Sequence, residues 1–353
     1  MKNTFKRAIP LLFVACISLC AFEEDKKPTI FMIGDSTMAD KDISNDKQER
    51  GWGMVLKSYL SDEIIVSNHA VNGRSSKSFI NEGRWDAVLE RISPGDYVFI
   101  QFGHNDEKPA EDRHTDPGTT FDENLKKFVN DTRSKGGIPV LFNAVVRRNF
   151  YRQVDANTDD ESLRNTTFHD MEEKINSDTL IDTHGEYLNS PRNVAKLLHV
   201  PFVDANRITH DIEQNAGIEG SRKLHMWFKP NEHPSIPAGR KDNTHYNVYG
   251  AHVVAGMLID EIARQVPSLT PFVRHYDIVV AKDGSGHFFS LQEAINLAVK
   301  RLIPDPMGHG FVKCGNKITI LVGDGEWSVP VIPRGHNIEI IRRNGEIVTK
   351  RPK

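Results

Sequence analysis

Short apolar runs alternate with amphipathic stretches along most of the chain. Buried strands are predicted where runs of mostly β-branched or aromatic residues are bounded by Gly, Pro, Asp or Asn, at residues 29–33, 64–67, 97–101, 139–143 and 201–203. Helical spacing of apolar positions fills the intervals, at residues 53–60, 85–92, 121–135 and 193–198. Strands that alternate with helices predict an α/β fold, a doubly wound three-layer domain with a parallel sheet.

The same patterns divide the chain into two parts. A last amphipathic helix is predicted at residues 248–265, just before Pro267, which cannot continue it. Residues 28–266 are therefore predicted to form one domain, followed by a short linker. Residues 275–353 lack the alternation and are predicted to form a small second unit, with strands at 277–280 and 318–322 and a helix at 291–302.

Residues 1–21 are typical of a secretory signal peptide. Lys2, Lys6 and Arg7 give a positive start, and the following residues to Ala21 are apolar apart from Ser18. That run is too short to span a bilayer, so we predict an exported protein, periplasmic or extracellular, with no membrane span. Attachment of a lipid to Cys16 or Cys20 is the alternative.

Composition and charge exclude several classes of protein. The 353 residues include 45 Lys and Arg against 48 Asp and Glu, a net charge of −3 that argues against nucleic acid as the main partner. Three cysteines are too few for a disulfide scaffold or a four-cysteine zinc site. With 38% hydrophobic and 26% charged residues, the chain has the composition of an ordinary globular protein.

Polar residues follow three predicted strands at the edge where ligands of parallel sheets bind. Ser36 follows the first strand, Gly73 the second and Asn105 the third. The serine hydroxyl could act as a nucleophile, while the backbone N–H groups of Ser36 and Gly73 and the Asn105 amide could stabilise an oxyanion. Each residue alone is equally explained as part of an ordinary turn.

Asp242 and His245 lie three residues apart, immediately before the last predicted helix. Within one turn the aspartate can fix the imidazole tautomer, while the second ring nitrogen accepts the proton of Ser36. Singly, Asp242 is equally explained as a helix cap and His245 as one of 15 histidines. The ordered set of Ser, Gly, Asn and Asp-x-x-His is more specific than any member and favours a serine hydrolase.

Five short motifs carry a resemblance to a known family. They are Gly-Asp-Ser-Thr at 34–37, Gly-Trp-Gly at 51–53, Asn-Gly-Arg-Ser-Ser-Lys-Ser-Phe at 72–79, Phe-Gly-His-Asn-Asp at 102–106 and Asp-Asn-Thr-His at 242–245. The chain resembles the SGNH (GDSL-type) hydrolases, and within them the rhamnogalacturonan or pectin acetylesterases, over about residues 28–265. The resemblance implies a serine esterase that removes O-acetyl groups from pectin through an acetyl-enzyme, without a metal or other cofactor. It assigns catalysis to Ser36, Asp242 and His245, and the oxyanion hole to Ser36, Gly73 and Asn105.

An acetylated pectic polysaccharide or oligosaccharide would be a polyanionic partner. Arginine can bind a carboxylate through two hydrogen bonds, and several cationic residues lie in predicted loops near the strand ends. These candidates are Arg74, Lys77, Arg147, Arg148 and Arg240, each of which could equally be a solvated loop charge. Trp52 is a candidate for stacking on a sugar ring, or else a core residue. The deacetylated hydroxyl, the preferred chain length and the oligomeric state stay open.

The segment after the linker resembles the opening of pectin methylesterases, which fold as right-handed parallel β-helices. The resemblance rests on Tyr-Asp-Ile-Val-Val-Ala-Lys-Asp-Gly-Ser-Gly at 276–286, the helix at 288–299 and the strand at 318–325. Only the beginning of that fold is matched, over about residues 275–345. Because a solenoid needs about three repeats to bury its core, we expect incomplete folding of residues 275–353 and no methylesterase activity.

Three other interpretations stay open at this point. The first is an SGNH esterase for another acyl substrate, such as acetylated xylan, a lipid or a thioester. The second is a noncatalytic pectin-binding protein, which would not need a Ser-His-Asp set. The third is a metallohydrolase with His225, His233 and His245 as ligands, although their spacing matches no common zinc pattern.

Overall fold

The computed structural model describes residues 26–152 and 177–352. The predicted signal peptide lies outside the described residues. Within them the strands are β1 (Thr29–Gly34), β2 (Glu49–Arg50), β3 (Ile65–Asn68), β4 (Tyr97–Gln101), β5 (Ile138–Phe142), β6 (Phe202–Val203), β7 (Tyr246–Asn247), β8 (Ile278–Val280), β9 (Leu302–Pro304), β10 (Phe311–Lys313), β11 (Ile318–Val322) and β12 (Ile338–Arg342).

The α-helices in the same part of the chain are α1 (Trp52–Val55), α2 (Ser76–Asn81), α3 (Arg84–Leu89), α4 (Thr120–Ser134), α5 (Asn189–Leu198), α6 (Ala205–Ser221), α7 (Val248–Gln265) and α8 (Leu291–Val299). None of them is both long enough and apolar enough to cross a membrane. Helix α6 was not predicted from the sequence. Its pattern is interrupted at Gly217, where a φ of 69° breaks the helical geometry.

The central sheet has five parallel strands in the order β3-β1-β4-β5-β6. Strand β1 lies between β3 and β4, so Ile30 pairs with Val66 on one side and with Tyr97 on the other. The connections run outward in opposite directions from β1, which makes the carboxyl end of this strand the switch point of the sheet. Ligands of open α/β sheets bind at this point.

Alternate residues of the central strands pack into two separate apolar cores. Ile30 and Met32 face the core that helix α7 covers, whereas Phe31 and Ile33 face the core covered by α3 and α4. Both faces of the sheet are thus buried under helices. The predicted three-layer α/β architecture with a parallel sheet is confirmed.

The loop after β1 is packed directly against the backbone at residues 51–53. A Cβ atom on Gly51 would lie 2.3 Å from the Ala39 carbonyl oxygen, and one on Gly53 would lie 2.5 Å from the Met38 carbonyl oxygen. Only glycine allows this approach, because real Cβ atoms do not come within 3 Å of a backbone oxygen. The Gly-Trp-Gly motif therefore fixes the loop that carries Ser36.

The C-terminal part contains a second parallel sheet of order β12-β11-β8. Ile320 of β11 pairs with Ile278 of β8 and with Ile340 of β12, and apolar residues of α8 pack on these strands. The expectation of incomplete folding is not met in the described residues, which form regular elements around their own apolar cluster. Helix α8 ends at Val299, earlier than predicted, because the chain turns there into β9.

Polar contacts join this C-terminal part to the larger one. Arg50 Nε donates a hydrogen bond to the Gly284 carbonyl oxygen at 3.0 Å, and Ser58 Oγ donates to the Ser285 carbonyl oxygen at 2.6 Å. The Tyr249 hydroxyl of α7 donates to the Asp305 carbonyl oxygen at 2.7 Å. The C-terminal part therefore contacts Arg50 of β2, Ser58 and helix α7.

Substitution of Gly51 by alanine tests the close packing of the loop after β1. We expect Gly51→Ala to lower the free energy of unfolding by about 1–3 kcal/mol, because the added methyl group must displace backbone. Gly315→Ala is the matched control, since a Cβ there meets no atom within 4 Å. Urea unfolding midpoints measure both variants, and equal midpoints would contradict the packing argument.

Candidate active site

Ser36 lies in a tight turn at the carboxyl end of β1. The side chain of Asp35 is buried, and its Oδ1 atom accepts hydrogen bonds from the Thr37 backbone N–H at 2.9 Å and from the Thr37 hydroxyl at 2.8 Å. The Asp35 carbonyl oxygen accepts from the N–H groups of Met38 and Ala39. Burial raises the pKa of Asp35, against the effect of these hydrogen bonds. The hydrogen bonds of Asp35 thus fix the turn that carries Ser36.

A second polar contact supports the turn from β4. Gln101 Nε2 donates to Thr37 Oγ1 at 2.7 Å, and Trp52 Nε1 donates to Gln101 Oε1 at 2.7 Å. The Trp52 side chain is fully buried in the core under the sheet. The prediction that Trp52 stacks on a sugar ring is therefore wrong, because no face of its indole reaches the surface.

His245 lies next to Ser36, although the two residues are 209 positions apart. The Ser36 hydroxyl donates to His245 Nε2 at 2.9 Å, and His245 Nδ1 donates to Asp242 Oδ2 at 2.8 Å. Asp242 Oδ1 accepts from the backbone N–H groups of Thr244 and His245 at 2.8 and 2.9 Å. The predicted meeting of the three side chains at one point is confirmed.

The environment of Asp242 keeps it ionised. Burial alone would raise its pKa, but the neighbouring His245 and Arg240 hold the pKa of this carboxyl well below its usual range. An ionised carboxylate can only accept hydrogen bonds, which fixes the tautomer of His245 with its proton on Nδ1. Nε2 is then free to accept the serine proton.

The segment that carries His245 is held by strand pairing. Tyr246 and Asn247 of β7 pair antiparallel with Arg50 and Glu49 of β2, directly before the Gly-Trp-Gly motif. The His245 carbonyl oxygen also accepts from the Met226 N–H at 2.9 Å. The histidine is consequently fixed to the same packed unit as the turn that carries Ser36.

Gly73 and Asn105 lie on two loops in contact with each other, after β3 and after β4. Gly73 has a φ of 74°, a left-handed conformation that favours glycine. Asn105 is buried, and its Nδ2 atom donates to the Arg74 carbonyl oxygen at 3.1 Å. Because an amide nitrogen carries two hydrogens, this bond orients the side chain and still allows a second donation.

Asp106 joins these two loops. Its carboxylate accepts from the Ser76 N–H at 3.0 Å, the Ser76 hydroxyl at 2.5 Å, the Gly103 N–H at 3.1 Å and the Thr115 hydroxyl at 3.0 Å. Burial raises the pKa of Asp106 to about 7, although the hydrogen bonds from Ser76 and Thr115 oppose the shift. The carboxyl group thereby fixes the loop with Asn105 against the start of α2.

Glu107, two residues after Asn105, forms a buried ionic cluster with Arg147 and His184. The Glu107 carboxylate lies 2.6 Å from Arg147 Nη2 and accepts from His184 Nδ1 at 2.8 Å. His184 Nε2 donates to the Val145 carbonyl oxygen at 3.1 Å, so both ring nitrogens of this histidine donate. Burial would raise the pKa of Glu107, but the charges of His184 and Arg147 hold it at about 2.

Two of the predicted substrate-binding arginines are buried. Arg147 belongs to the cluster with Glu107, and Arg148 donates to the Ile218 carbonyl oxygen at 2.5 Å and to Asn243 Oδ1 at 3.1 Å. Both side chains are about 1% exposed. Their assignment to substrate binding is wrong in this structure, because their guanidinium groups are enclosed and bound to the protein.

The other predicted cations are partly exposed. Arg74 Nε donates to Glu82 at 3.1 Å, and Lys77 Nζ donates to the Glu111 carbonyl oxygen at 2.7 Å. These two residues stay substrate-binding candidates beside the loop of Gly73. Arg240 donates to Asp242 and Glu49, and its side chain is still 36% exposed, so its assignment to substrate binding stays a prediction.

The structure gives no support to the metallohydrolase interpretation. His225 is buried and hydrogen-bonded to Glu213, and His233 is hydrogen-bonded to the Ser235 hydroxyl. His245 is bonded to Ser36 instead. In the described ranges no group of three or more His, Cys, Asp or Glu could hold a metal ion.

Sequence patterns do not identify Gln101, Asp106 or Glu49 as residues of this site. Asp106 lies in the quoted Phe-Gly-His-Asn-Asp motif and Glu49 two residues before the Gly-Trp-Gly motif. Their nearness to these motifs is the available signal. It shows neither which backbone groups Asp106 binds nor that Glu49 faces Arg240.

The chain is similar to a known protein family and to several known proteins. The model of the GDSL-like lipase/acylhydrolase family matches residues 32–252. The chain is 37% identical over 263 residues to rhamnogalacturonan acetylesterase RhgT of Bacillus subtilis (strain 168), a match that covers 74% of this chain and 99% of the relative. The rhamnogalacturonan acetylesterase of Emericella nidulans is 40% identical over 95 residues, 26% of this chain and 34% of the relative.

A solved structure shares the fold. The crystal structure of protein YXIM from Bacillus subtilis matches with a TM-score of 0.51 and 24% sequence identity. The match covers 68% of this chain and 57% of that chain. This similarity concerns the fold alone.

Removal of the Glu107 charge tests the buried ionic cluster that this residue forms with Arg147 and His184. We expect Glu107→Gln to lower the free energy of unfolding by about 3–5 kcal/mol at pH 7, because Arg147 and His184 lose their buried counter-charge. The pKa of Glu107 is depressed from 4.5 to about 2, so its contribution is fully present above about pH 4.5 and is lost as the pH falls through 2.

The stability difference between wild type and Glu107→Gln should therefore shrink as the pH falls from 5 towards 2. Unfolding by urea at several pH values measures this trend. The exposed Glu111→Gln provides the control and should change little at any pH. A Glu107→Gln penalty that stayed constant with pH would contradict the ionic origin of the effect.

Proposed function

The chain belongs to the GDSL-like lipase/acylhydrolase family, and on that basis we propose that it is a serine esterase that removes O-acetyl groups from rhamnogalacturonan. The continuous hydrogen-bond chain from Asp242 through His245 to Ser36 is the observation that carries the proposal. The substrate is inferred from the similarity to RhgT, which extends over nearly the whole of that relative.

In the first chemical step, Ser36 Oγ attacks the acetyl carbonyl carbon while its proton passes to His245 Nε2. Asp242 stabilises the imidazolium that forms, because its ionised carboxylate already accepts the Nδ1 proton. The tetrahedral intermediate then collapses, His245 returns the proton to the leaving sugar oxygen, and the acetyl group stays on Ser36.

The negative oxygen of the intermediate requires donors at the same place. We assign the backbone N–H groups of Ser36 and Gly73 and the Nδ2 group of Asn105 to this oxyanion hole. Their support is structural: Asn105 is oriented by the loop that contains Gly73, and Asp106 joins the two loops. One such donor typically contributes about 3 kcal/mol to the transition state.

In the second step, water attacks the acetyl-enzyme. His245 Nε2 accepts a proton from the water, and the same donors stabilise the second oxyanion. Acetate leaves as the Ser36–acetyl bond breaks, and the proton returns to Ser36 Oγ. None of these steps needs a group beyond the residues named here.

Recognition of a pectic backbone is the finer part of the proposal. A galacturonate-containing polymer is a polyanion, so local cations must attract it to a chain of net charge −3. Arg74 directly follows Gly73, and Lys77 lies three residues after Arg74, in the first turn of α2. Both residues are therefore close in sequence to Gly73, a proposed oxyanion donor. We propose that these two residues contact the substrate carboxylates.

Two further parts of the proposal concern the ends of the chain. We propose that residues 1–21 direct export, which would bring the enzyme to an extracellular or periplasmic polysaccharide. We also propose that about residues 275–345 are related to the beginning of a pectin methylesterase β-helix. The parallel sheet of β8, β11 and β12, with Ile278, Ile320 and Ile340 in register, supports this relation.

Acetate release from three polymers tests the substrate. Purified protein should release acetate from acetylated rhamnogalacturonan at least tenfold faster than from acetylated homogalacturonan or acetylated xylan. Faster release from xylan would favour a different acyl substrate. No release from any polymer or from 4-nitrophenyl acetate would favour a noncatalytic carbohydrate-binding protein.

Single and double substitutions test the catalytic residues. We expect Ser36→Ala and His245→Ala each to reduce kcat/KM by about 10⁴-fold or more, and the double variant to lose little beyond either single one, because the residues act as a unit. Circular dichroism checks that each variant is folded. Wild-type acetate release by folded Ser36→Ala protein would refute the mechanism.

A further inference from the structure

We propose that Lys41, Glu49 and Arg240 position and electrostatically balance Asp242, and that Glu49 is the residue that keeps the charge of Asp242 available to His245. These three residues do not touch the scissile ester, so they are positioning residues rather than catalytic ones. The inference rests on the proposed esterase function and extends it to the control of the general base.

The first observation is a guanidinium shared between two carboxylates. Arg240 Nη2 donates to Asp242 Oδ2 at 2.5 Å, the same oxygen that accepts from His245 Nδ1. Arg240 Nη1 donates to Glu49 Oε2 at 2.8 Å. A cation on this oxygen competes with the imidazolium for the charge of Asp242, which would by itself weaken the base.

The second observation is that Glu49 lies between two cations. Its Oε1 atom is 2.8 Å from Lys41 Nζ, and the Lys41 side chain is only 5% exposed. Lys41 Nζ also donates to Asn72 Oδ1 at 2.6 Å, directly before Gly73. The chain of contacts therefore runs from Asp242 on the catalytic segment to the loop that supplies the oxyanion donor.

Regular backbone pairing makes this arrangement rigid. Glu49 belongs to β2, which pairs with β7 immediately after His245. The backbones of Arg240 and Phe228 exchange two hydrogen bonds of 2.9 Å, so the arginine is fixed on a second pair of extended segments. Both partners of the central ion pair thus lie on paired backbone, and the pairing that holds Glu49 directly follows His245.

The charges alternate along the contact chain, with Lys41 and Arg240 positive and Glu49 and Asp242 negative. Glu49 faces His245, Lys41 and Arg240, and Asp242 faces His245 and Arg240. The four charges cancel, so protonation of His245 brings one net positive charge into the site. Glu49 offsets Arg240, and this leaves the field of Asp242 to stabilise that imidazolium.

The proposal predicts opposite effects for two charge-removing variants. In Glu49→Gln the uncompensated Arg240 disfavours the imidazolium, so the acid limb of the kcat/KM profile should move about half a pH unit lower. In Arg240→Gln the carboxylates of Glu49 and Asp242 lose their shared cation and favour the imidazolium of His245. The acid limb of the kcat/KM profile should therefore move about half a pH unit higher. Each single variant should also lose about tenfold in kcat.

The double variant Glu49→Gln/Arg240→Gln removes one charge of each sign, and its limb should return close to that of wild type. Glu261→Gln is the matched control, because Glu261 pairs with Arg264 on α7 and is not part of the contact chain. Arg240→Lys keeps the positive charge, but a lysine cannot bridge the carboxylates of Glu49 and Asp242 as the guanidinium does. This variant should therefore lower kcat without the upward shift of the acid limb expected for Arg240→Gln.

The experiment measures pH profiles with 4-nitrophenyl acetate, a small ester that does not depend on recognition of the polysaccharide. Proton NMR titration of the His245 imidazole in the same variants gives the same comparison without turnover. The proposal would be overturned if the acid limb moved in the same direction in Glu49→Gln and Arg240→Gln. It would also be overturned if both variants kept the wild-type pH profile and only lost kcat. Acetylated rhamnogalacturonan left intact by an enzyme that shows opposite shifts would refute only the proposed substrate.

Discussion

The distance of 2.9 Å between Ser36 Oγ and His245 Nε2 is the constraint on which the proposed chemistry depends. This contact joins the end of the first strand to a segment 209 residues later, and a hydroxyl and an imidazole act together only when held within about 3 Å. Local hydrogen bonds of Asp35 and Asp242 fix each turn, but they do not bring Ser36 and His245 together. The pairing of β2 with β7 and the contact of Gly51 with the loop after Ser36 fix both residues to one packed unit.

Buried polar groups, rather than the apolar cores alone, give this site its shape. Asp35 fixes the turn of Ser36 from inside, and Asp106 fixes the loops of Gly73 and Asn105 to each other. Each carboxyl accepts backbone N–H groups that would otherwise be buried without a partner. The cost of burying these groups is offset only if their geometry is kept, and that requirement makes the loops rigid.

Strand β4 and the turn that joins Asp242 to His245 could be predicted because each depends on local sequence. Strand β4 was predicted at its observed bounds from one continuous apolar run, and the spacing of Asp242 and His245 follows from a single turn. Arg147 and Arg148 were misassigned for the opposite reason. A loop position near the strand ends suggests exposure, whereas their burial depends on Glu107, Asn243 and Ile218, which are distant in sequence.

The same distinction between local and distant contacts applies to Glu49. A glutamate before a glycine-rich motif has no local signature, and its role appears only when β2 and β7 place it beside Arg240. The neighbouring Arg50 points the other way and bonds to Gly284 of the C-terminal part. Two consecutive residues of one short strand therefore contact Arg240, the partner of Asp242, on one side and the C-terminal part of the chain on the other.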